Sequence, residues 1–299
     1  MGSSLTSRPA SGDDAARGWQ RRRHGHSDRS TSAVDARLGA GLLLLALPAV
    51  LTLYSMLLPV DSYTAASLPE RLSGPDWRHP LGTDELGRDV LRRISVGARV
   101  SLVLSVSVVL IAGLAGLLVG STAGYGGGAV DHTAVFLVDT FLSFPPMLLA
   151  LALVAVLGTG LTQLFVGLAI STWPGYARIA RSLVVALRGR GFVEALRALG
   201  ASNTRIIFRH LLPHIAGPML VQAMLDVPAV LLMEGGMSFL GLGVQPPDPS
   251  WGAMIDEGRR HLVDDPALVV VPGAAVLLTV LGLNLLGEAL AARMDPRRA

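Results

Sequence analysis

The chain of 299 residues has a net charge of +3, is 51% hydrophobic and only 16% charged, and has a mean hydropathy of +0.52, which favours an integral membrane protein over a soluble domain. It contains no cysteine, which excludes disulfides and thiolate metal sites, and no lysine. Because a Walker A loop needs its lysine to reach nucleotide phosphates, any ATPase of that type must be a separate polypeptide.

The first predicted element is a basic tail over residues 1–37. It is rich in Ser, Gly and Asp, has no apolar periodicity and carries seven arginines: Arg8, Arg17, Arg21, Arg22, Arg23, Arg29 and Arg37. This composition predicts a disordered cytoplasmic extension that anchors the first span by the positive-inside rule. A lipid-binding or partner-binding arm is the alternative.

Six apolar stretches of about 20 residues, the length that crosses a bilayer, follow the tail. The predicted spans are Leu38–Leu58, Val100–Ala123, Thr133–Leu157, Leu161–Ile179, Gly217–Leu240 and Ala267–Ala291. Pro145-Pro146 in the third span and Pro174 in the fourth should bend those helices. The predicted fold is therefore all-α, with six transmembrane helices. With the tail inside, residues 178–216 and the carboxyl-terminal 292–299 are cytoplasmic.

Residues 38–96 would then comprise the first transmembrane helix and an extracytoplasmic loop, and residues 97–291 a five-helix core. Residues 79–91 of the loop are His-Pro-Leu-Gly-Thr-Asp-Glu-Leu-Gly-Arg-Asp-Val-Leu. Thr83 is a capping residue, and Asp84 and Glu85 suit the positive end of a helix dipole. We therefore predict an amphipathic surface helix that starts near Thr83. A metal site is the weaker alternative, because no second histidine stands at ligand spacing.

A basic segment over residues 178–216 separates the fourth and fifth spans. Glu194 is its single acid, among seven arginines: Arg178, Arg181, Arg188, Arg190, Arg197, Arg205 and Arg209. Gly200 can turn the chain between two short amphipathic helices, and Pro213 can end the second helix or open the next span. The pattern predicts a compact knob that a soluble partner can grip.

The carboxylates of Asp139, Asp226 and Glu234 fall inside predicted spans. An exposed carboxylate at mid-bilayer costs about 2.5–3.5 kcal/mol on insertion scales, so such groups usually face a cavity or a partner. They are candidates for lining a translocation path or a gate. The alternative is pairing with arginine or backbone donors, and it is the better interpretation for Asp139, which is close to a cytoplasmic helix end.

The basic segment closely resembles the EAA loop of the permease subunits of ABC importers. Glu194, Ala195, Gly200, Leu212 and Pro213 match that pattern, with the proline thirteen residues after the glycine. Leu196 departs from the family's second alanine, and His210 stands where many members have isoleucine. The resemblance implies that these seven residues couple the chain to an ATPase. Glu194 would be a polar contact or helix-start carboxylate, Ala195 a close-packing residue and Gly200 the turn; the alternative for Glu194 is a cap without a partner.

Three further stretches resemble the second permease subunit of dipeptide and oligopeptide importers. They are residues 79–91, residues 234–252 with Ser-Phe-Leu-Gly-Leu-Gly and Pro-Ser-Trp-Gly, and residues 272–297. The middle stretch predicts an ordered re-entrant or lid-like loop at the outer end of the fifth helix. The matches together cover roughly residues 79–298.

This resemblance implies a type I ABC importer permease fold in a bacterial inner membrane. The expected partners are the lipid bilayer, a homologous second permease, two cytoplasmic ATPase subunits or domains, and an extracytoplasmic substrate-binding protein. ATP binding by the ATPases would open the cavity between the permeases outward. The chain itself is expected to be no enzyme and to have no cofactor, metal or nucleic-acid partner.

The expected cargo is a peptide, with nickel chelates, glutathione or haem as the alternatives that related importers carry. An ion-coupled secondary transporter would use the intramembrane carboxylates but should show inverted repeats between its halves. A membrane-embedded enzyme would need a polar catalytic cluster, whereas the histidines are scattered in loops. Both rivals leave the basic segment unexplained.

Overall fold

The computed structural model describes residues 12–294, and for residues 12–33 it describes the backbone alone. Every regular element of this part is helical, apart from an isolated β-bridge between Thr83 and Asp89, so the all-α prediction is confirmed. The α-helices are α1 Gly12–Ser55, α2 Asp61–Thr64, α3 Val90–Gly126, α4 Gly128–Leu142, α5 Pro146–Leu157, α6 Leu161–Arg188, α7 Gly191–Ala198, α8 Asn203–Arg205, α9 Leu212–Phe239, α10 Trp251–Gly258 and α11 Ala267–Met294. Short 3₁₀ turns lie at Leu68–Glu70 and Arg259–His261, and a π-helical turn lies at Ile206–Leu211.

The bundle is organised around α3, which has 37 residues and is therefore about 55 Å long. It packs most extensively against α6 and also contacts α1, α4 and α9. Gly116, Gly120 and Gly124 of α3 face α6 and leave no room for a Cβ atom, so the two backbones approach closely. Such small-residue contacts are typical of helix packing in membranes, where close van der Waals contact replaces the hydrophobic effect.

Within the described residues, four helical segments are long and apolar enough to cross a membrane: Val34–Ser55, Val90–Gly126, Asn203–Phe239 and Ala267–Met294. The broken pair α4 and α5, bent by 86°, would make a fifth. Helix α6 contains the predicted fourth span and is long enough, but polar residues such as Gln163, Thr172 and Arg178 make it less apolar. The count of six spans therefore stays a prediction.

The third predicted span is a broken helix rather than a bent one. Helix α4 ends at Leu142, Pro145 is extended, and α5 starts at Pro146. A proline at a helix start loses no hydrogen bond, because that N–H would be unpaired anyway, and it disfavours helical backbone in the residue before it. By contrast, α6 continues through Pro174.

The amino-terminal segment differs from its prediction. The backbone from Gly12 is helical and continuous with the first span, whereas the sequence predicts a disordered tail over residues 1–37. No proline interrupts residues 12–37, and alanine and arginine have high helix propensity, so the helix of the span can extend. The prediction for residues 1–11 lies outside the described residues.

The predicted surface helix near Thr83 is wrong. Residues 81–89 form a tight loop in which the Asp84 carboxylate accepts the backbone N–H groups of Leu86 and Arg88, both at 2.9 Å. Asp89 is the N-cap of α3 and accepts the N–H of Arg92 at 2.9 Å. The acidic residues therefore close the loop instead of lying in a first helical turn, which is the competing role that aspartate side chains often take.

Candidate functional site

The basic segment forms a helix–turn–helix at one end of the bundle, which we call the knob (residues 190–211). Gly200 has a φ of +78° and follows α7, while the N–H groups of Gly200 and Ala201 bond back to Arg197 and Leu196 at 2.9 and 3.0 Å. This arrangement is the Schellman helix end that glycine favours. Ser202 then caps α8 by accepting the N–H of Arg205 at 3.3 Å.

The second arm of the knob differs from the separate short helix that the sequence predicts. Helix α8 passes through the π-helical turn into α9, so that residues 203–239 are one continuous helical segment. Pro213 lies in the first turn of α9, where its missing N–H costs nothing. This arm is therefore continuous with the fifth predicted span.

The knob has one buried face and one exposed face. Val193, Ile206 and Leu211 are fully buried in the main apolar core. On the opposite side, Glu194 and Ala195 are exposed. The other predicted coupling residues lie at the same end: Gly200 and Pro213 are exposed, and Leu196, His210 and Leu212 are half-buried. The structure thus exposes Glu194, Ala195, Gly200 and Pro213, whereas Leu196 and Leu212 pack against the main apolar core.

Polar contacts that the sequence interpretation missed fix the knob, and the end of α6 just before it, to the end of α3. The hydroxyl of Tyr125 accepts a hydrogen bond from Arg197 Nε at 3.1 Å and donates to Asn203 Oδ1 at 3.3 Å. The Arg197 guanidinium also lies 5.0 Å from the Tyr125 ring centroid. Arg188 Nη1 donates to the Gly124 carbonyl at 2.8 Å, where a cation suits the helix C-terminus. Of these residues, only Tyr125 could have been singled out from the sequence, because it is the lone aromatic residue in a glycine-rich helix end.

Asp139 is paired. Arg178 Nη2 donates to its Oδ1 at 2.6 Å, and both side chains are exposed. The neighbouring Arg181 forms a bidentate pair with Asp131 at 2.6 and 2.7 Å. These pairs border a cavity of about 290 Å³ between α3, α4 and α6. The contact supports the pairing interpretation of Asp139.

Asp226 and Glu234 lie in different surroundings, although both belong to α9. Asp226 is half-buried and accepts a hydrogen bond from Gln222 at 3.0 Å. Glu234 is fully buried, and its Oε1 accepts from Ser238 at 2.8 Å. The structure therefore does not bring the two carboxylates into one site.

The glycine- and proline-rich loop packs beside Glu234. Ser238 Oγ accepts the N–H of Val244 at 3.4 Å, and Gly252 lies so close to the backbone of Gly235 that a Cβ would collide with it. Trp251 is fully buried and its indole N–H donates to the Ile94 carbonyl at 3.1 Å. The loop is thus held against α9 and α3, which supports a packing role for Glu234.

The end of the bundle opposite the knob, the loop end (residues 56–89 and 240–266), is fixed by a buried ion network. Arg88 Nε and Arg93 Nε contact Asp84 Oδ2 at 2.7 and 3.2 Å. The same two arginines contact Glu257 Oε2 at 3.1 and 2.8 Å, and Arg93 is only 1% exposed. The network joins the residue 79–89 loop, α3 and α10.

A smaller turn at the loop end is also held by a carboxylate. Asp76 Oδ1 accepts the backbone N–H groups of His79 and Arg78 at 2.5 and 2.8 Å. These bonds, chiefly the one from His79, hold the pKa of the Asp76 carboxyl below its ordinary value of 3.8. The charged carboxylate therefore keeps this exposed turn closed.

Comparison with known proteins accords with this arrangement. Residues 116–299 match the family described as binding-protein-dependent transport system inner membrane component. The chain is 42% identical over 256 residues to the nickel transport system permease protein NikC of Escherichia coli (strain K12), covering 85% of this chain and 92% of the relative. It is 38% identical over 257 residues to the dipeptide transport system permease protein DppC of Alkalihalophilus pseudofirmus, covering 86% and 84%.

The fold also matches a solved structure. An inward-facing conformation of the MetNI methionine ABC transporter superposes with a TM-score of 0.52 at 20% sequence identity, covering 66% of this chain and 93% of that one. The predicted permease fold and family are confirmed, and the ion-coupled alternative loses its support. The chain belongs to the family of multi-pass inner-membrane permease subunits of binding-protein-dependent ABC importers.

Proposed function

We propose that this permease imports short peptides, forming half of a translocation pathway with a homologous second permease. The observation that carries the coupling part of the proposal is the knob, which is anchored by a buried face and exposes Glu194 and Ala195. Two ATPase subunits or domains would bind the knobs of the permease pair. Because the chain has no lysine for a Walker A loop, ATP hydrolysis would take place on those partners.

The proposed orientation places the knob, and both ends of the chain, in the cytoplasm. Arg37 and Asp35 of α1 contact Glu288 and Arg293 of α11 at 3.4 and 2.7 Å, so the start of the first span and the end of the last share one side. A Cβ at Gly217, near the start of α9, would collide with Met294. These contacts support a common side for the knob and the chain ends. The loop end would then face an extracytoplasmic binding protein.

The peptide cargo is supported by the motifs of residues 79–91 and 234–252 and by the similarity to DppC. The similarity to NikC favours a nickel chelate as the second candidate. Glutathione and haem remain the further alternatives. Since the permease motifs are common to these importers, the cargo is decided by a transport assay and not by the motifs.

A transport assay tests both parts of the proposal. Cells that carry the chain should accumulate a labelled dipeptide, and excess unlabelled dipeptide should compete while a nickel chelate, glutathione or haem should not. Glu194→Arg should abolish uptake without reducing the amount of membrane-inserted protein. Glu288→Arg makes the same charge change at an exposed side chain of α11, outside the knob and the loop end, and is the matched control. Competition by the nickel chelate alone would replace the peptide assignment, and normal uptake by Glu194→Arg would contradict the coupling role.

A further inference from the structure

The hydroxyl group of Tyr125, at the end of α3, forms hydrogen bonds with the knob. This side chain is buried in the main core with Val193 and Ile206 of the knob. Its hydroxyl reaches the rim of the knob, where Arg197 and Asn203 are otherwise exposed. Arg197 lies before the Gly200 turn and Asn203 after it, so one group bonds both arms.

The contacts of Tyr125 differ in kind from those of its neighbours. Val193 and Ile206 contribute apolar burial, which is non-directional and tolerates small displacements. The bonds of the hydroxyl depend on distance and angle, and the ring also attracts the Arg197 guanidinium at 5.0 Å. A displacement of α7 therefore changes the geometry at Tyr125 before it unpacks the core.

Helix α3 is well placed to carry such a displacement across the bundle. It is continuous from Val90 to Gly126 and is tied at the loop end through Arg93 to Asp84 and Glu257. It is also locked against α6, whose last residues lead into α7. An input at Tyr125 thus acts on one end of a continuous helix whose other end is tied to the loop end.

We propose that Tyr125 is a positioning residue for coupling, which sets the register of the two knob arms on α3 and passes their displacement to that helix. This inference rests on the proposed function, because it takes the knob to be the site where the ATPases bind. In this role Tyr125 acts through Arg197 and Asn203, and not by contact with cargo or nucleotide.

The test uses the complete importer in lipid vesicles, with its ATPases and binding protein. Tyr125→Phe keeps the ring over Arg197 and removes the hydroxyl, whereas Tyr125→Leu removes both. Since a hydrogen bond contributes about 0.5–1.5 kcal/mol net, Tyr125→Phe should lower the ratio of cargo-stimulated to basal ATPase activity about two- to tenfold. Tyr125→Leu should lower this ratio further. Co-purification of the ATPases should be unchanged, and Tyr54→Phe on α1 is the matched control.

The outcomes separate the inference from the proposed function. An unchanged ratio in both Tyr125 variants overturns the inference, as does a loss of thermal stability or assembly with an unchanged ratio. Glu194→Arg is measured in parallel. If that variant loses its ATPases while the Tyr125 variants couple normally, the proposed function stands and the inference alone fails. If Glu194→Arg also couples normally, the coupling part of the proposed function fails.

Discussion

Gly120 of α3 lies against Ala177 of α6 so closely that a Cβ on the glycine would collide with the Ala177 carbonyl oxygen. Gly116 and Gly124 make similar close approaches to α6 one turn away on either side. This crossing joins α3, whose last residues contact the knob, to α6, which ends just before the knob. The two helices can therefore move as a unit only while this close packing is intact.

Replacing Gly120 by alanine should destabilise the bundle by forcing α3 and α6 apart. Overpacking of this kind typically costs about 1–3 kcal/mol, which should lower the midpoint of thermal unfolding of the purified protein in detergent. Gly113→Ala is the matched control on the same helix, because its Cβ would meet Tyr176 only at ordinary contact distance, 3.6 Å. Equal stability of the two variants would show that the helices do not pack as described.

A β-branched residue at position 200 should destabilise the knob through backbone strain and not through a steric clash. Nothing lies within 4 Å of a Cβ built at Gly200, but the φ of +78° is a left-handed conformation that costs a non-glycine residue about 1–2 kcal/mol. Gly200→Val and Gly200→Pro should therefore reduce uptake, whereas Gly200→Asn should retain most of it. Gly189→Ala is the control, because a Cβ at this position is equally free of neighbours but the φ is an ordinary −91°. Comparable uptake by the valine and asparagine variants would contradict a role for this turn.

Replacing one partner of the ion network at the loop end should destabilise the protein more than replacing two partners together. Arg93→Met leaves Glu257 with one fewer cation in a buried site, and losing one partner of a buried pair costs about 3–5 kcal/mol. The double variant Arg93→Met with Glu257→Gln should recover part of that stability. Thermal unfolding of both single variants and the double variant gives the coupling energy directly.

An exposed pair elsewhere in the chain provides the control for this cycle. Arg178 contacts Asp139 at 2.6 Å, and the two side chains are 60% and 57% exposed, so Arg178→Gln should change stability by at most about 1 kcal/mol. Strictly additive effects of the Arg93 and Glu257 substitutions would show that the two side chains do not interact.

Glu234 and Asp226 should respond differently to loss of charge. Glu234→Gln keeps the size and the acceptor for Ser238, so it should keep the fold, whereas Glu234→Ala should loosen the residue 240–250 loop. Limited proteolysis of that loop in inside-out and right-side-out vesicles measures the difference. Protection of the alanine variant equal to that of the unaltered protein would argue against a packing role.

Asp226→Asn provides the comparison, because Asp226 is only half-buried and accepts a hydrogen bond from Gln222. If Asp226 lines the pathway, the asparagine variant should lower uptake while leaving the loop as protected as before. Normal uptake by this variant would remove Asp226 from the pathway candidates.

The sequence predicts the helical class, the knob and its exposed acid, because each depends on local patterns of apolar residues, arginines and glycine. It misplaces the start of α3, since Asp84 can serve a helix or close a loop, and only the tertiary pairing of Arg88 with Glu257 and of Arg93 with Asp84 distinguishes the two. It also misses the partners of Tyr125, because Arg197 and Asn203 are 72 and 78 residues away in the chain. Long-range pairing of this kind leaves no periodic signal in one sequence.

The most direct measurement of the coupling claim is site-specific cross-linking of the knob. The chain has no cysteine, so Ala195→Cys introduces a single thiol, and Ala253→Cys introduces one at the loop end. With a short thiol-to-amine reagent in native membranes, the Ala195→Cys chain should cross-link to a protein that carries a Walker A motif, and the Ala253→Cys chain should not. Cross-linking of the ATPase to position 253, or to neither position while the importer is active, would contradict the account.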